Sequence, residues 1–205
     1  MSHLYYPGRA LARFCFRVFG RLEVTGREWV PPYGPLIVVA NHISYNDPPS
    51  VAAAVPRPLS FLGKKELFTP RPRGLLFHAL RVYPVDRSFG MSAVRTALEL
   101  LARDQAVVIF PEGHISPDGR LQPGLAGAAY LALKSQAPIL PIGITGTEKF
   151  PHQRMPLPLC RFRVNIGPPF TPPVIEGGQP REAANQVLEM IMLRIAALLP
   201  PEYRG

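Results

Sequence analysis

Leu36-Ile37-Val38-Val39-Ala40-Asn41-His42-Ile43-Ser44-Tyr45-Asn46-Asp47-Pro48 decides how the rest of this sequence is read. The first five residues are apolar, mostly β-branched and too few for a helix, so they predict a strand buried on both faces. Beyond Ala40 the chain turns polar, and Asp47-Pro48 has the form of a helix start. A doubly buried strand running through a short polar loop into a helix is the repeating unit of a parallel sheet covered by helices.

Working outward, similar apolar runs recur at Leu59 to Gly63, Val82 to Val85, Ala106 to Phe110, Ile139 to Ile142 and Phe162 to Ile166, with a shorter segment at Leu22 to Val24. Helical stretches lie between them, near 48–54, 74–80, 91–103, 124–135 and 183–199. Met91, Val94, Leu98 and Leu101 share one face of the third, as in a helix covering a sheet. The stretch from Gly124 to Leu133 is apolar or small all round, which predicts a helix buried on most sides. Val187, Leu188, Ile191, Met192, Ile195, Leu198 and Leu199 make the last helix amphipathic, with Pro200-Pro201 as its stop. The expected fold is α/β: a single domain with a mixed, largely parallel sheet flanked by helices, preceded by an N-terminal basic amphipathic helix.

The chain has 205 residues, of which 47% are hydrophobic, enough for one domain with a substantial core and too many for a disordered chain. The 26 prolines and 17 glycines are interspersed with apolar segments, so they predict many short loops and no low-complexity tract. Lys plus Arg number 23 against 14 Asp plus Glu, a net charge of +9 that points to anionic partners. Only Lys64, Lys65, Lys134 and Lys149 are lysines; arginine supplies the rest, and its planar fork suits phosphate. Nucleic acid, lipid head groups and phosphorylated metabolites are all consistent with this balance. Cys15 and Cys160 make neither a disulfide framework nor a metal cluster, and a reducing cytosolic compartment is the simplest expectation.

No apolar run approaches the roughly 20 residues of a spanning helix, so membrane contact is expected from one side only. Over residues 9–19, Leu11, Phe14, Cys15, Val18 and Phe19 fall on one side, and Arg9, Arg13 and Arg17 recur every fourth residue opposite. This helix either packs on the domain with its arginines solvated or lies in a bilayer surface with its arginines near anionic head groups.

Reactive groups in α/β sheets gather in loops beyond the carboxyl ends of strands. In the first such loop, His42 is a natural proton acceptor near neutral pH, and Asp47 can fix its tautomer if the intervening residues turn tightly. The plainer alternative makes Asp47 a helix cap and His42 unrelated to it. In the second, Pro111-Glu112-Gly113-His114-Ile115-Ser116, a carboxylate and a permissive backbone follow a buried strand, or simply form a turn. Lys64, Lys65 and Arg87 also follow strands, within reach of a phosphate held at that edge, though each is equally readable as a surface charge.

Taken in order, these segments resemble the glycerolipid acyltransferases of the lysophosphatidate acyltransferase type. Asn41-His42-Ile43-Ser44-Tyr45-Asn46-Asp47 resembles the family's His-x-x-x-x-Asp block, and Lys64-Lys65-Glu66-Leu67 its Lys-x-Glu-Leu segment. Tyr83-Pro84-Val85-Asp86-Arg87-Ser88 is similar to its arginine block, Phe110-Pro111-Glu112-Gly113 to its third and Ile139-Leu140-Pro141-Ile142 to its fourth. The resemblance runs from about Leu22 to the last helix. It departs at Ile115, where the family usually has an arginine expected to help hold the acceptor's phosphate, and at Arg81, where glycine is frequent.

The resemblance implies an acyltransferase domain over 21–205 behind a membrane-surface helix over 1–20, at the cytoplasmic face of a membrane. It implies acyl transfer from a coenzyme A or acyl carrier protein thioester to the free hydroxyl of a lysophospholipid, 1-acylglycerol-3-phosphate foremost, with no resident cofactor. His42 is then the general base, Asp47 its orienting partner, Lys64 and Arg87 the phosphate contacts (Lys65 a weaker candidate), and Glu112 and Gly113 the shapers of the acceptor site. A different lysolipid or hydroxylated acceptor, or a thioesterase using the same His and Asp on water, remains an alternative. A metal site built from His42, Asp47 and Glu112 or His114 fits the spacing poorly, and no metal is expected. The basic balance also admits a nucleic-acid binder, but no reader motif accompanies it and nucleic acid is not an expected partner.

Overall fold

The computed structural model describes residues 4–86, 91–149, 161–173 and 180–205. Its strands are β1 (Glu23–Thr25), β2 (Leu36–Ala40), β3 (Leu59–Lys64), β4 (Val82–Val85), β5 (Ala106–Ile109), β6 (Ile139–Thr145) and β7 (Arg163–Ile166). They form one sheet in the order β1-β7-β6-β2-β5-β3-β4. The strands from β6 to β4 in that order run parallel, whereas β7 is antiparallel to β6 and carries β1 parallel to itself. The expected largely parallel α/β architecture is what forms.

The decisive strand β2 sits centrally, with Val38 opposite Val108 of β5 and Leu140 of β6, and all five of its residues are buried. Helix α2 (Asp47–Ala54) covers one face through Val51, Ala54 and neighbours packed on Val38, Ala40, Val108 and Ile142. On the other face, α4 (Met91–Leu101), α5 (Ala126–Ser135) and α6 (Pro180–Ala197) enclose Ile37, Val39, Val107 and Ile139. Helix α3 (Arg71–Ala79) lies beside β4.

Two helices differ from expectation. Helix α1 spans Tyr5–Val18, and the side it buries is Tyr5, Cys15 and Phe16, not the Leu11/Phe14/Val18 side. Phe16 is fully buried against Ala53 of α2 and Phe162, its ring edge-on to Phe162 at 5.2 Å, a burial contributing about 2–3 kcal/mol. The Tyr5 hydroxyl accepts the Leu59 N–H at 2.8 Å. Leu4, Leu11, Phe14 and Val18 are left exposed. Helix α5 is one-sided: Ala128, Ala129, Leu131 and Ala132 are buried, but Leu125 just before it and Tyr130 face solvent. Small residues give little signal about which side faces the core, so the uniformly apolar pattern overstated its burial.

Arg81 has a φ of 61°, in the left-handed region that glycine adopts without strain. That explains why a glycine suits this position. Its Nη2 donates to Gln105 Oε1 at 2.6 Å and Ser60 Oγ at 3.0 Å, offsetting the cost.

Candidate active site

The loop after β2 is short because Asn41 pins its start. The Asn41 side chain accepts the Ile144 N–H at 2.7 Å and donates to the Ile144 carbonyl at 2.9 Å, extending the β2–β6 pairing by one side chain. Helix α2 begins at Asp47 with Pro48 and Pro49 in its first turn, where their missing N–H groups cost nothing. Asp47 is not the cap of that helix. Its carboxylate turns back over the loop, and Oδ2 accepts the N–H groups of Ile43 (2.7 Å) and Ser44 (2.8 Å) as well as His42 Nδ1 (2.8 Å). Its other oxygen accepts the Thr147 hydroxyl at 2.5 Å. Asp47 and Thr147 are fully buried, so this carboxylate is held at every point by donors in a low-dielectric setting.

Such a carboxylate fixes the imidazole. With Nδ1 bonded to Asp47 as the protonated nitrogen, Nε2 is the one left to take a proton. The ring is also stacked on Phe110 just after β5, centroids 4.2 Å apart, and keeps 13% of its side-chain surface exposed.

The second loop holds the same histidine by its main chain. Glu112 Oε1 accepts the His42 N–H at 2.6 Å, Glu112 Oε2 accepts the Gln122 N–H at 2.9 Å, and the His42 carbonyl accepts the Ser116 N–H at 2.7 Å. Glu112 is fully buried, and that burial pushes its carboxyl above the usual range against the lowering effect of the two amides and of His42. Gly113 has a φ of 73°, and a Cβ there would stand 2.5 Å from Leu125 Cδ1, so the turn requires glycine.

The structure therefore brings His42, Asp47, Glu112 and Gly113 together at the carboxyl edge of the sheet. Lys64 is exposed at the end of β3, two strands from β2 and so roughly 10 Å away across the sheet. Lys65 pairs with Asp86 at 2.5 Å. Arg87 lies outside the described residues. Ile115 is half-buried, and His114 beside it is exposed. Among the described residues no group of three His, Cys, Asp or Glu is arranged to hold a metal ion. The carboxylates of Asp47 and Glu112 already accept N–H and O–H donors, which leaves little for a cation.

Thr147 is the residue that reading the sequence missed. It follows β6, whose carboxyl end lies at the same edge as that of β2, and the rule that such loops converge points to it once β6 is known to reach Thr145.

An α/β sheet carrying a fixed His–Asp pair and a glutamate-held loop at one edge can host proton-transfer chemistry, and the comparisons with known proteins give the class of protein. Residues 21–145 match the model of the Acyltransferase family, and the chain belongs to that family. It is 32% identical over 151 residues to human 1-acyl-sn-glycerol-3-phosphate acyltransferase alpha, a match covering 70% of this chain and 53% of that protein. It is 29% identical over 191 residues to a 1-acyl-sn-glycerol-3-phosphate acyltransferase of Chlamydomonas reinhardtii, covering 91% and 55% respectively. The chain thus spans about half the length of the curated relatives it matches. The crystal structure of the 1-acyl-sn-glycerophosphate (LPA) acyltransferase PlsC from Thermotoga maritima superposes with a TM-score of 0.72 at 28% identity, over 94% of this chain and 80% of that one.

Proposed function

We propose that the chain transfers an acyl group from a coenzyme A or acyl carrier protein thioester to the free hydroxyl of a lysophospholipid, 1-acylglycerol-3-phosphate foremost. The observation that carries this reading is the 2.8 Å contact between His42 Nδ1 and the fully buried Asp47 carboxylate, which aims one ring nitrogen at a proton to be removed. Nε2 takes the proton of the acceptor hydroxyl as its oxygen attacks the thioester carbonyl, and Asp47 stabilises the imidazolium that results. When the tetrahedral intermediate collapses the C–S bond breaks, and the imidazolium returns the proton to the departing thiolate. No acyl-enzyme is required. The names of the relatives support the acceptor.

Lys64 and Arg87 are the proposed phosphate contacts, with Glu112 and Gly113 shaping the acceptor site by holding the loops, and no resident cofactor is needed. No helix among the described residues is long and apolar enough to cross a membrane. The proposed setting is peripheral, at the cytoplasmic face, with exposed Leu4 and the exposed Leu11, Phe14 and Val18 of α1 against the bilayer. The test is a panel of lysolipids offered with both thioesters, products identified by mass spectrometry. Acylated lysophosphatidate is expected; free fatty acid released without any acceptor would make the protein a thioesterase. His42→Ala is expected to lower kcat by about 10² to 10⁴, and a folded variant with near wild-type turnover would remove His42 from the chemistry.

A further inference from the structure

On the outer edge of the sheet, α1 and the chain around β1 border a half-open cavity of about 90 Å³ lined by Arg13, Arg17, Leu22, Val24 and Arg27. That is roughly three times the ~30 Å³ share of one water molecule. In the sheet order β1 is three strands from β2, about 14 Å across the sheet, so this is not the His42 site. The Nε atoms of Arg13 and Arg27 are buried and have no hydrogen-bond partner.

Outside the cavity the Nε of Arg81 is likewise unpartnered, but its Nη2 donates to Gln105 and Ser60. Arg57 is held by carbonyls: it donates to those of Pro31 (2.9 Å), Tyr33 (3.1 Å) and Gly34 (2.7 Å), stitching down the proline-rich turn. Among the described residues the side chains of half-buried Arg13 and Arg27 and of exposed Arg17 have no hydrogen-bonded carbonyl or carboxylate. Burial lowers the affinity of Arg27 for its proton, and the charged groups that lower it further are Arg13, Arg17 and Arg9. Glu23 on β1 is taken by Arg163 at 2.7 Å, and Glu28, next to Arg27 in the chain, is exposed and in none of the ion pairs among the described residues. Converging like charges with buried, unmatched N–H donors carry a cost that an anion would relieve.

We propose that Arg13, Arg17 and Arg27 form a phosphate-binding site separate from the His42 site and independent of the acyl-transfer reading. Three guanidinium groups offer planar pairs of donors matched to phosphate oxygens, and a half-open cavity of this size admits the anionic group while its substituents stay outside. A phospholipid head group and free phosphate share this chemistry. The surroundings resemble a bilayer-facing surface: Phe14 and Val18 adjoin Arg13 and Arg17 on α1, and Trp29, exposed two residues after Arg27, is of the type that settles at head-group depth.

Trp29 is the only tryptophan in the sequence, so the fluorescence of the full chain reports on the site directly. One arm titrates sodium phosphate against sodium chloride at matched ionic strength. The other titrates phosphatidylcholine vesicles with and without phosphatidylglycerol. The double variant R13Q/R27Q is compared with R103Q/R181Q, which removes the same charge from exposed positions, and with R27K, which keeps the charge but not the fork. Loss of about tenfold or more in affinity for R13Q/R27Q, against less than about twofold for the exposed pair and an intermediate loss for R27K, is the expected result. A response in the phosphate arm identifies free phosphate as a source, and one confined to the anionic vesicles identifies the head group; either supports the site. Equal losses in the two double variants, or no phosphate-dependent response of the wild type in either arm, would overturn it. If R13Q/R27Q does not fold by circular dichroism, R27K decides: wild-type binding by that variant counts against the site.

Discussion

Asp47 and Glu112 are both fully buried carboxylates that collect backbone N–H groups, yet the loops around them do different work. In the 41–47 loop the carboxylate reaches the imidazole itself, so its charge is felt directly by the ring that the proposed reaction uses as base. In the 111–116 loop the carboxylate hydrogen-bonds only main chain, so it holds the loops in place and acts on the imidazole only through space. The difference separates two ways of losing activity: one changes the basicity and aim of His42, the other changes whether the loop carrying it stays in place.

The largest effect that sharpens this contrast is expected at Asp47. In Asp47→Asn the amide oxygen can accept the three donors now on Oδ2, and the amide nitrogen can donate to the Thr147 hydroxyl, so the loop keeps its shape while the charge disappears. We expect kcat to fall by about 10² to 10⁴, with circular dichroism unchanged. A variant that unfolds instead, or retains full kcat, would erase the distinction between the loops.

A smaller effect is expected at Thr147, which touches no reacting atom and positions Asp47. Thr147→Val leaves Oδ1 of a buried carboxylate without its donor, which should cost about 1.5–3 kcal/mol of stability in urea unfolding. On the reaction we expect about a tenfold fall in kcat with KM unchanged, and recovery in Thr147→Ser. A KM increase without a kcat change would make Thr147 a wall of the acceptor site.

Much of the site was legible in the sequence because His42 and Asp47 are five positions apart and a single tight loop brings them together. The partner of Asp47 that lies 100 positions away was not legible. The apolar run of β6 breaks at Gly143, which suggested that the strand ends at Ile142. In the fold Gly143 continues the strand by pairing with Asn165 of β7, and it is glycine because Leu198 passes so close that a Cβ would stand 2.8 Å from its carbonyl oxygen, a tertiary cause invisible locally. Ending β6 early hid Thr147. In α1, helical periodicity found an apolar side correctly but could not say which apolar side meets the domain, because the choice depends on Phe162 and Ala53, remote in sequence. Alternation of strands and helices fixed the layers. That β7 runs against its neighbour had no signature in it.

The smallest expected effect lies at Glu112 and appears only as a change with pH. Burial raises the folded-state pKa of Glu112 above its ordinary value of 4.5, so the folded protein binds this proton more tightly than the unfolded chain. The stability that protonation contributes is then complete below about pH 4.5 and is lost as pH rises through the folded value. Glu112→Gln removes the titration and, like the protonated acid, presents one acceptor to the two amides of His42 and Gln122. Relative to the wild type, the glutamine variant should therefore gain stability with rising pH, by about 1.4 kcal/mol for each unit that separates the two pKa values. Urea unfolding of both proteins from pH 4 to pH 8 measures this directly. A difference that stays flat across the range, or moves in favour of the wild type, would mean that the two amides outweigh burial at Glu112. The carboxylates of the two loops would then be held alike, and only their reach toward the imidazole would distinguish them.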